Sequence, residues 1–276
     1  MSAAYIQDRT VLVTGSTDGI GLQTALELAR RGGRVILHGR TEERLHGAMM
    51  HLRRANADIA GAVTGDFSSF ASMGRMINEL RGSFPDLSVL VNNAGVYMSE
   101  QVMTEDGYEM TWQVNHLAMM LLTEQLLLTV KDNMPARIVN VSSIAHMRGS
   151  IAFDNLNGER EYDAYAAYAQ SKLANVFFTY ELAAKLHGSG ITANCLHPGV
   201  IGTKLLREGF GIDGASVEEG AATSVHLASA DEVADVSGKY FVRMQQTPSS
   251  PTSYDLELMR RLWDVSEQQI RKAMEA

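Results

Sequence analysis

Cysteine is nearly absent. Cys195 is the single one in 276 residues, so no internal disulfide can form, and the composition fits a reducing compartment. Positive charge is also in short supply. With 24 lysines and arginines against 32 aspartates and glutamates, the net charge is −8 and the pI near 5.5, which argues against a nucleic-acid partner. No basic run marks a tail or a membrane-surface patch. No apolar run reaches the ~18 residues that a spanning helix needs, and the short polar stretch from Met1 to Arg9 does not read as a signal peptide. The expectation is a soluble, cytoplasmic protein with no membrane or nucleic-acid partner and no metal. The sequon Asn140-Val-Ser142 lies in an apolar strand of such a chain and is discounted. Internal repeats, low-complexity tracts and linkers are lacking too. With 45% hydrophobic side chains, the chain can bury one large core, a single domain over residues 1–276.

What is present is alternation. Strand-like apolar runs fall at 10–14, 34–38, 59–64, 87–91, 137–141, 191–196 and 239–242. Helix-like patterns separate them: Leu22 to Ala29, 41–55, a stretch from about Ser69, 104–116, 117–133, one ending near His187, 216–229, and a tail from Ser253. Two connections stand out. The loop 144–163 is too long for a plain strand-to-helix link. The segment 204–216, with Gly209, Gly211 and Gly214 among Leu205, Leu206 and Phe210, reads as a mobile apolar lid.

The first run ends in Gly15, Ser16, Thr17, Asp18, Gly19, Ile20 and Gly21 before a helix starts. Strand, glycine turn and helix N-terminus offer backbone N–H groups and the positive end of a helix dipole to a pyrophosphate. The spacing is G-x-x-x-G-x-G rather than G-x-G-x-x-G, but the mechanism is shared: Gly15 permits the tight turn, and Gly19 and Gly21 allow close approach. After the second strand come Gly39 and Arg40, with no acid. An arginine there suits the 2′-phosphate of NADP, where an acid would suit the ribose of NAD; a solvated first-turn side chain is the other reading of Arg40. His38 reads as a packed strand histidine. Asp66, before Phe67, either meets an adenine amine or caps the next helix. Asn93, Ala94 and Gly95 end the fourth strand with small residues against which a cofactor can lie, or form a simple turn. Asn115 interrupts an apolar stretch and needs a hydrogen-bonding partner, structural or functional; His116 beside it reads as structural. Ser142 and Ser143 end the fifth strand on the same rim as Gly15 and Asn93.

Tyr168 and Lys172 lie four residues apart, one turn on one helix face, the only such pair among nine tyrosines. An ammonium nearby favours a phenolate and lowers its pKa from ~10 toward the catalytic range. Spacing alone favours a Tyr/Lys pair snorkelling at a helix edge, and it is the rest of the sequence that overturns this.

Thr14-Gly-x-x-x-Gly-x-Gly21, Asn92-Asn-Ala-Gly95, Asn115, Ser143, Tyr168-x-x-x-Lys172 and Pro198-Gly199…Thr203 occur in this order, and together they resemble the short-chain dehydrogenase/reductase family. Ile138-Val-Asn-Val-Ser-Ser143, Phe153-x-Asn-Leu-Asn157, Ser171-Lys-Leu-Ala-Asn175 and Leu262-Trp-x-x-Ser266 are similar to its retinol dehydrogenase-like branch, though without the apolar N-terminal segment of that branch's membrane-anchored members. The resemblance implies a Rossmann-like, doubly wound, seven-stranded parallel sheet with helices on both faces. It implies Tyr168 as general acid and Lys172 as the group that lowers its pKa and bonds the nicotinamide ribose. Ser143 would orient the substrate oxygen, and Asn115 would hold a water linking Lys172 to solvent. Thr203 would hold the carboxamide, with Asp66, Phe67, Asn93, Ala94, Gly95, Pro198, Gly199, Val200 and the glycine turn around the rest of the cofactor.

The reading is an oxidoreductase interconverting a carbonyl and an alcohol, with NADP(H) favoured and NAD(H) as the alternative. Its expected substrate is an apolar small molecule, met by Ser143, Val96, Met147, Phe153, Leu205 and Phe210, with 144–163 and 204–216 setting specificity. A catalytically silent dinucleotide sensor of the same fold is the competing class. A homo-oligomer, paired through the helices at 117–133 and 163–187, is an option that the sequence does not decide.

Overall fold

The computed structural model describes residues 5–211 and 213–275, apart from the side chains of Glu208 and Phe210, so the expectation for the Phe210 side chain lies outside the described residues. Short aliphatic runs form β1 (Thr10–Val13), β2 (Arg34–Gly39), β3 (Ile59–Thr64), β4 (Leu87–Asn92), β5 (Ala136–Val141), β6 (Ile191–His197) and β7 (Tyr240–Val242). These pair in parallel in the order β3-β2-β1-β4-β5-β6-β7. An eighth strand, β8 (Gln245–Gln246), returns antiparallel to β7 through Arg243 and Met244, both at positive φ. The expected seven parallel strands are thus eight, with a mixed edge. A two-residue strand has no alternation for a sequence pattern to show.

The helices are α1 (Gly19–Arg30), α2 (Glu42–Arg54), α3 (Phe70–Ser83), α4 (Met110–Trp112), α5 (Ala118–Lys131), α6 (Ala164–Lys185), α7 (Lys204–Phe210), α8 (Val217–Ser229) and α9 (Leu256–Glu275). They divide between the two sheet faces because successive strand residues point opposite ways. Val11, Val13, Val35, Leu37 and Val91 pack under α1, α2 and α8. Leu12, Ile36, Leu90 and Ile138 pack under α3, α5 and α6. With both faces covered, the central strands are buried along their whole length, which is why they read as unbroken apolar runs. Strand order runs one way from β1 to β3 and the other way from β4 to β7. That reversal opens a crevice beyond the carboxyl ends of β1 and β4, where ligands of such sheets bind.

Two sequence expectations change. The helices expected at 104–116 and 117–133 are one helical run from Met110 to Lys131, with a π-helical turn at Gln113–Leu117. Residues 104–109 form a turn closed by a Met103–Glu109 bridge, and Glu109 caps the helix by accepting from the N–H groups of Thr111 and Trp112. The segment 204–216 is not shown as a free lid: it begins as α7 and is then clasped by a parallel bridge from Ala215 to Ile201. Thr203 supplies the reason for the helix, its Oγ accepting from Leu206 N–H at 3.3 Å.

The C-terminal helix α9 lies on α6 and α3, with Trp263 stacked on Phe178 at 5.4 Å between ring centroids and Lys185 Nζ 4.7 Å from the indole centroid. Removing a buried indole leaves a cavity that this stacked layer cannot close. Trp263→Ala therefore costs about 3–5 kcal/mol in urea unfolding; a loss under about 1 kcal/mol would show that α9 contributes little to the packed core.

Candidate active site

The glycine turn is held by clamps from two neighbouring segments, the end of β4 and the end of β2. Asn93 Nδ2 donates to the Thr14 carbonyl at 2.8 Å and to that of Gly15 at 3.3 Å. Thr14 Oγ1 accepts from the N–H groups of Asn93 (2.9 Å) and Ala94 (3.0 Å). A Cβ on Gly21 would come 2.3 Å from the Gly15 carbonyl oxygen and 2.4 Å from Asn93 Nδ2, so only glycine fits there. Asp18 caps α1, its Oδ1 accepting from Gly19 N–H at 2.7 Å. The next amides, of Ile20 and Gly21, belong to the positive end of the helix.

Above this turn is a cleft compartment of about 290 Å³, lined by Gly15, Thr17, Asp18, Gly19, Ile20 and Gly21 on one side. Asp66, Phe67, Asn93, Ala94, Gly95 and Val96 line the other, with Arg40, Thr203 and Leu205 at the ends. Ser16 does not line it. It is buried, its Oγ accepting from His38 N–H at 2.9 Å, and serves the turn rather than a ligand. Asp66 Oδ1 is engaged by Ser68 N–H (2.9 Å) and Ser68 Oγ (2.7 Å), and Ser69 rather than Asp66 caps α3.

Two further residues belong here: Arg44, not named from the sequence, and His38, read there as packed in its strand. Arg44, one helical turn beyond Arg40 at the start of α2, lines the same compartment. Its place in the first turn of a helix that follows Arg40 and the capping Thr41 was the available signal. His38 is the other. Its Nδ1 accepts from Gly15 N–H at 2.9 Å, and its Nε2 donates to the Gly65 carbonyl at 3.0 Å. Its ring stacks on Phe67 at 4.7 Å. Burial pushes its pKa down to about 4, against the pull of the Gly65 bond and Asp66, so it is a neutral bridge between two ligand-facing turns.

A second compartment, of about 250 Å³, adjoins the first and shares Ile20, Asn93, Gly95, Thr203 and Leu205 with it. Ser143, Tyr168 and Lys172 converge on it, together with Pro198, Gly199 and Val200. Its apolar wall is Ile144, Ala145, Val200, Leu205 and Leu206. Of the expected substrate residues, Ser143 and Leu205 are on this compartment and Val96 is on the first. Met147 is exposed and Phe153 lies under the Arg261 guanidinium at 3.9 Å; neither lines the cleft. Both point away because the chain after Ser143 turns as a 3₁₀ helix, Ile144–Arg148, instead of running out along the cleft.

Tyr168 and Lys172 occupy one face of α6, whose start is capped by Asp163. The phenol is hydrogen-bonded to Ser143, which favours the phenolate, yet burial outweighs this and pushes its pKa up to about 12. Lys172 Nζ is 5.6 Å from the centre of that ring and donates to the Val141 carbonyl at 3.2 Å; burial lowers its pKa to about 8. The expected lowering of Tyr168 by Lys172 is therefore not the ruling effect in the free protein, where desolvation raises the phenol and depresses the ammonium alike. Ser143 Oγ accepts from Ala145 N–H at 3.2 Å, which spends a lone pair on the turn and leaves its O–H to donate toward the cleft.

Asn115 lies on neither compartment. It is buried in the π-helical turn, its Oδ1 accepting from Val96 N–H at 2.7 Å and its Nδ2 donating to Val96 O (2.9 Å) and Ser171 Oγ (3.0 Å). It stands next to Lys172 across Gly95: a Cβ on that glycine would come 3.2 Å from Asn115 Oδ1 and 3.3 Å from Lys172 Nζ.

The family model for short chain dehydrogenases matches residues 9–210. Retinol dehydrogenase 13 of Homo sapiens is 44% identical over 280 residues, covering 95% of this chain and 84% of its own length. Retinol dehydrogenase 14 of Homo sapiens is 40% identical, covering 94% and 85%. Among solved structures, an uncharacterized protein from Mycobacterium paratuberculosis superposes with a TM-score of 0.80 at 31% identity, covering 98% of this chain and 96% of its own. The Pseudomonas aeruginosa RhlG/NADP active-site complex has a TM-score of 0.72 at 26% identity, covering 87% and 97%. Among the described residues no helix is long and apolar enough to cross a membrane, and no group of three or more His, Cys, Asp or Glu could hold a metal ion.

Lys172 gives a stability test. Between pH 8 and 10.5 the unfolded chain holds a proton on this lysine that the folded protein lacks, so stability rises with pH across that window. Below about pH 8 the destabilisation is full. Lys172→Met is therefore more stable than the wild type at pH 7, by on the order of 3 kcal/mol before the lost Val141 bond is counted, and by less than about 1 kcal/mol at pH 10. Urea unfolding at both pH values reads it. A variant less stable than wild type at pH 7 would mean that the ammonium is well solvated.

Proposed function

The chain belongs to the short-chain dehydrogenase family, and from that premise we propose that it is an NADP(H)-dependent oxidoreductase interconverting a carbonyl and an alcohol on an apolar small molecule. The observation that carries this reading is the convergence of Ser143, Tyr168 and Lys172 on an apolar compartment continuous with the glycine-turn compartment. The glycine cradle, in which a Cβ at Gly21 would strike backbone, fits a dinucleotide pyrophosphate lying close to the main chain. When bound there, the nicotinamide cofactor supplies or accepts the hydride.

The chain's own residues do the rest. Negative charge develops on the substrate oxygen during reduction, and Tyr168, protonated at neutral pH, gives it a proton. Ser143 donates a second hydrogen bond to the same oxygen. Lys172 would bond the nicotinamide ribose and supplies positive charge beside the phenol. Asn115 holds the Val96 backbone in line and, beside Lys172, would position a water linking that ammonium to solvent. Thr203 lines both compartments and would hold the nicotinamide carboxamide. Ile144, Val200, Leu205 and Leu206 make the substrate wall, so the segments 144–163 and 204–216 set substrate choice. The names of the most similar curated relatives make retinaldehyde a sensible first probe, followed by a panel of smaller carbonyls.

Tyr168→Phe removes one hydroxyl and keeps the ring. Turnover of any carbonyl that the wild type reduces falls by roughly 10²–10⁴-fold, while NADPH binding, read by fluorescence, is unchanged. A variant with more than about a tenth of the wild-type kcat would take Tyr168 out of the chemistry.

NADP preference rests on Arg40 and Arg44 facing one compartment with no acid at the β2 end. Gly39 clears space there: a Cβ would come 2.4 Å from Thr17 Cγ2. Asp18 is occupied as the cap of α1. Both guanidiniums can pair with a 2′-phosphate. Arg40→Ala raises KM for NADPH roughly ten- to hundredfold and barely moves that for NADH, with Arg44→Ala following in the same direction but less. Wild-type kcat/KM equal for the two cofactors would overturn the assignment.

A further inference from the structure

His146 lies three residues beyond Ser143 in the 3₁₀ turn and points away from the cleft, fully buried. Both ring nitrogens are engaged. Nδ1 donates to the Ser143 carbonyl at 2.7 Å, and Nε2 accepts from Ser250 N–H at 3.1 Å. One bond needs an N–H and the other a bare lone pair, so together they fix the neutral Nδ1–H tautomer. The ring lies on the Tyr240 ring at 4.7 Å between centroids. Ser250 belongs to a buried polar knot in the 249–254 segment. Tyr180 OH meets Ser249 Oγ at 2.6 Å, Ser249 Oγ meets Ser253 Oγ at 2.6 Å, and Ser253 Oγ donates to the Ser250 carbonyl at 2.6 Å. Ser249 N–H donates to Tyr254 OH at 3.2 Å.

We propose that His146 is a positioning residue: through its ring, the C-terminal segment 249–254 sets the backbone at Ser143 and so aims the Ser143 hydroxyl at the substrate oxygen. The inference rests on the reading of Ser143 given above. Ser143 is the hinge between β5 and the 3₁₀ turn. Its carbonyl is held by His146 Nδ1 at 2.7 Å and by the longer His146 N–H contact at 3.2 Å. Rotation of that peptide would carry Oγ off its bond to Ala145 and away from Tyr168. Tyr180, on the far part of α6, and Ser249 anchor the other end of the chain of bonds, so the brace ties the helix that carries Tyr168 to the turn that carries Ser143.

Two near-isosteric variants separate the two bonds. Asparagine places an N–H where Nδ1 stands and keeps the donor to Ser143. Glutamine places an oxygen where Nε2 stands and keeps only the acceptor for Ser250. With a carbonyl that the wild type reduces, His146→Asn retains kcat within about threefold, whereas His146→Gln and His146→Phe lose about tenfold or more, with the Kd for NADPH unchanged in all three. Equal kcat in wild type and His146→Gln would overturn the proposal. So would a parallel loss of kcat and NADPH affinity in every variant, which is the mark of general unfolding. A direct reading needs no turnover: imidazole ¹⁵N shifts of the wild-type protein report the Nδ1–H tautomer, with scalar coupling from His146 Nε2 to the Ser250 amide nitrogen. An Nε2–H tautomer would refute the brace even in an active enzyme. A wild type inert toward every carbonyl would sink the proposed reaction, leaving the NMR result to judge the brace by itself.

Discussion

The active end of this molecule depends on keeping an ammonium group dry. Lys172 is 3% exposed and its Nζ has the Val141 carbonyl as its hydrogen-bond acceptor. Several otherwise unrelated features follow from that placement. Gly95 lacks a side chain because Asn115 and Lys172 lie where its Cβ would press. Ser142 Oγ donates to the Lys172 backbone carbonyl at 2.7 Å, pinning α6 to the end of β5. The π-helical turn puts Asn115 where regular α-helical spacing would not, so that its amide meets both Val96 and Ser171. A buried cation with so few partners is a cost that the fold carries at the site and offsets in the core.

The same desolvation sets the state of the phenol. In an aqueous pair, an ammonium beside a tyrosine would lower its pKa. Here the slot is dry enough that loss of solvation wins for both groups and drives both toward neutrality. In the reaction proposed above, a protonated Tyr168 would be the proton donor and Lys172 the neighbour that replenishes it. The glycine-turn compartment follows a complementary logic. Backbone N–H groups and neutral side chains make up most of its lining, and charge enters through Arg40, Arg44, Lys204, Asp18 and Asp66. His38 is held neutral by burial, so it shapes the turn without adding a charge.

Much of this was legible in the sequence, and the rest divides by physical cause. The parallel strands were visible because burial on both faces leaves unbroken apolar runs. The meeting of the glycine turn, Asn93, Ser143, Tyr168 and Lys172 on one cleft was foreseeable because strand ends and one helix face bring those residue types together. Asn115 betrayed itself by being polar in an apolar stretch, and it proves to be fully bonded. What was not legible depends on where a chain turns after a recognisable element. Met147 and Phe153 looked like cleft residues because they follow Ser143, but the 3₁₀ turn carries them off. His38 reads as packing, and it is buried, but a single sequence does not show that both its ring nitrogens meet backbone groups of other segments. Helix 104–116 started six residues too early because Glu109, and not Thr104, is the cap.

The 249–254 segment contributes direction more than energy. The core under both sheet faces is complete without 249–254, and neutral hydrogen bonds contribute on the order of 1 kcal/mol each. Yet the chain from 249 onward reaches the site at two separate places. Gln269 of α9 accepts from Trp112 Nε1 at 3.0 Å and its carbonyl from Tyr108 OH at 2.8 Å, while Ser266 meets His116 Nε2 at 2.8 Å. These bonds hold the helical run on either side of Asn115. The 249–254 segment holds Ser143 through His146. A reaction in which a proton and a second hydrogen bond must reach one oxygen tolerates little angular error, of the kind that costs a hundredfold for about 1 Å. Sheet packing alone fixes strand ends to no such tolerance. Buried bonds from a segment distant in sequence supply the missing directions, and the front of the cleft stays free for substrate because its geometry is fixed from behind.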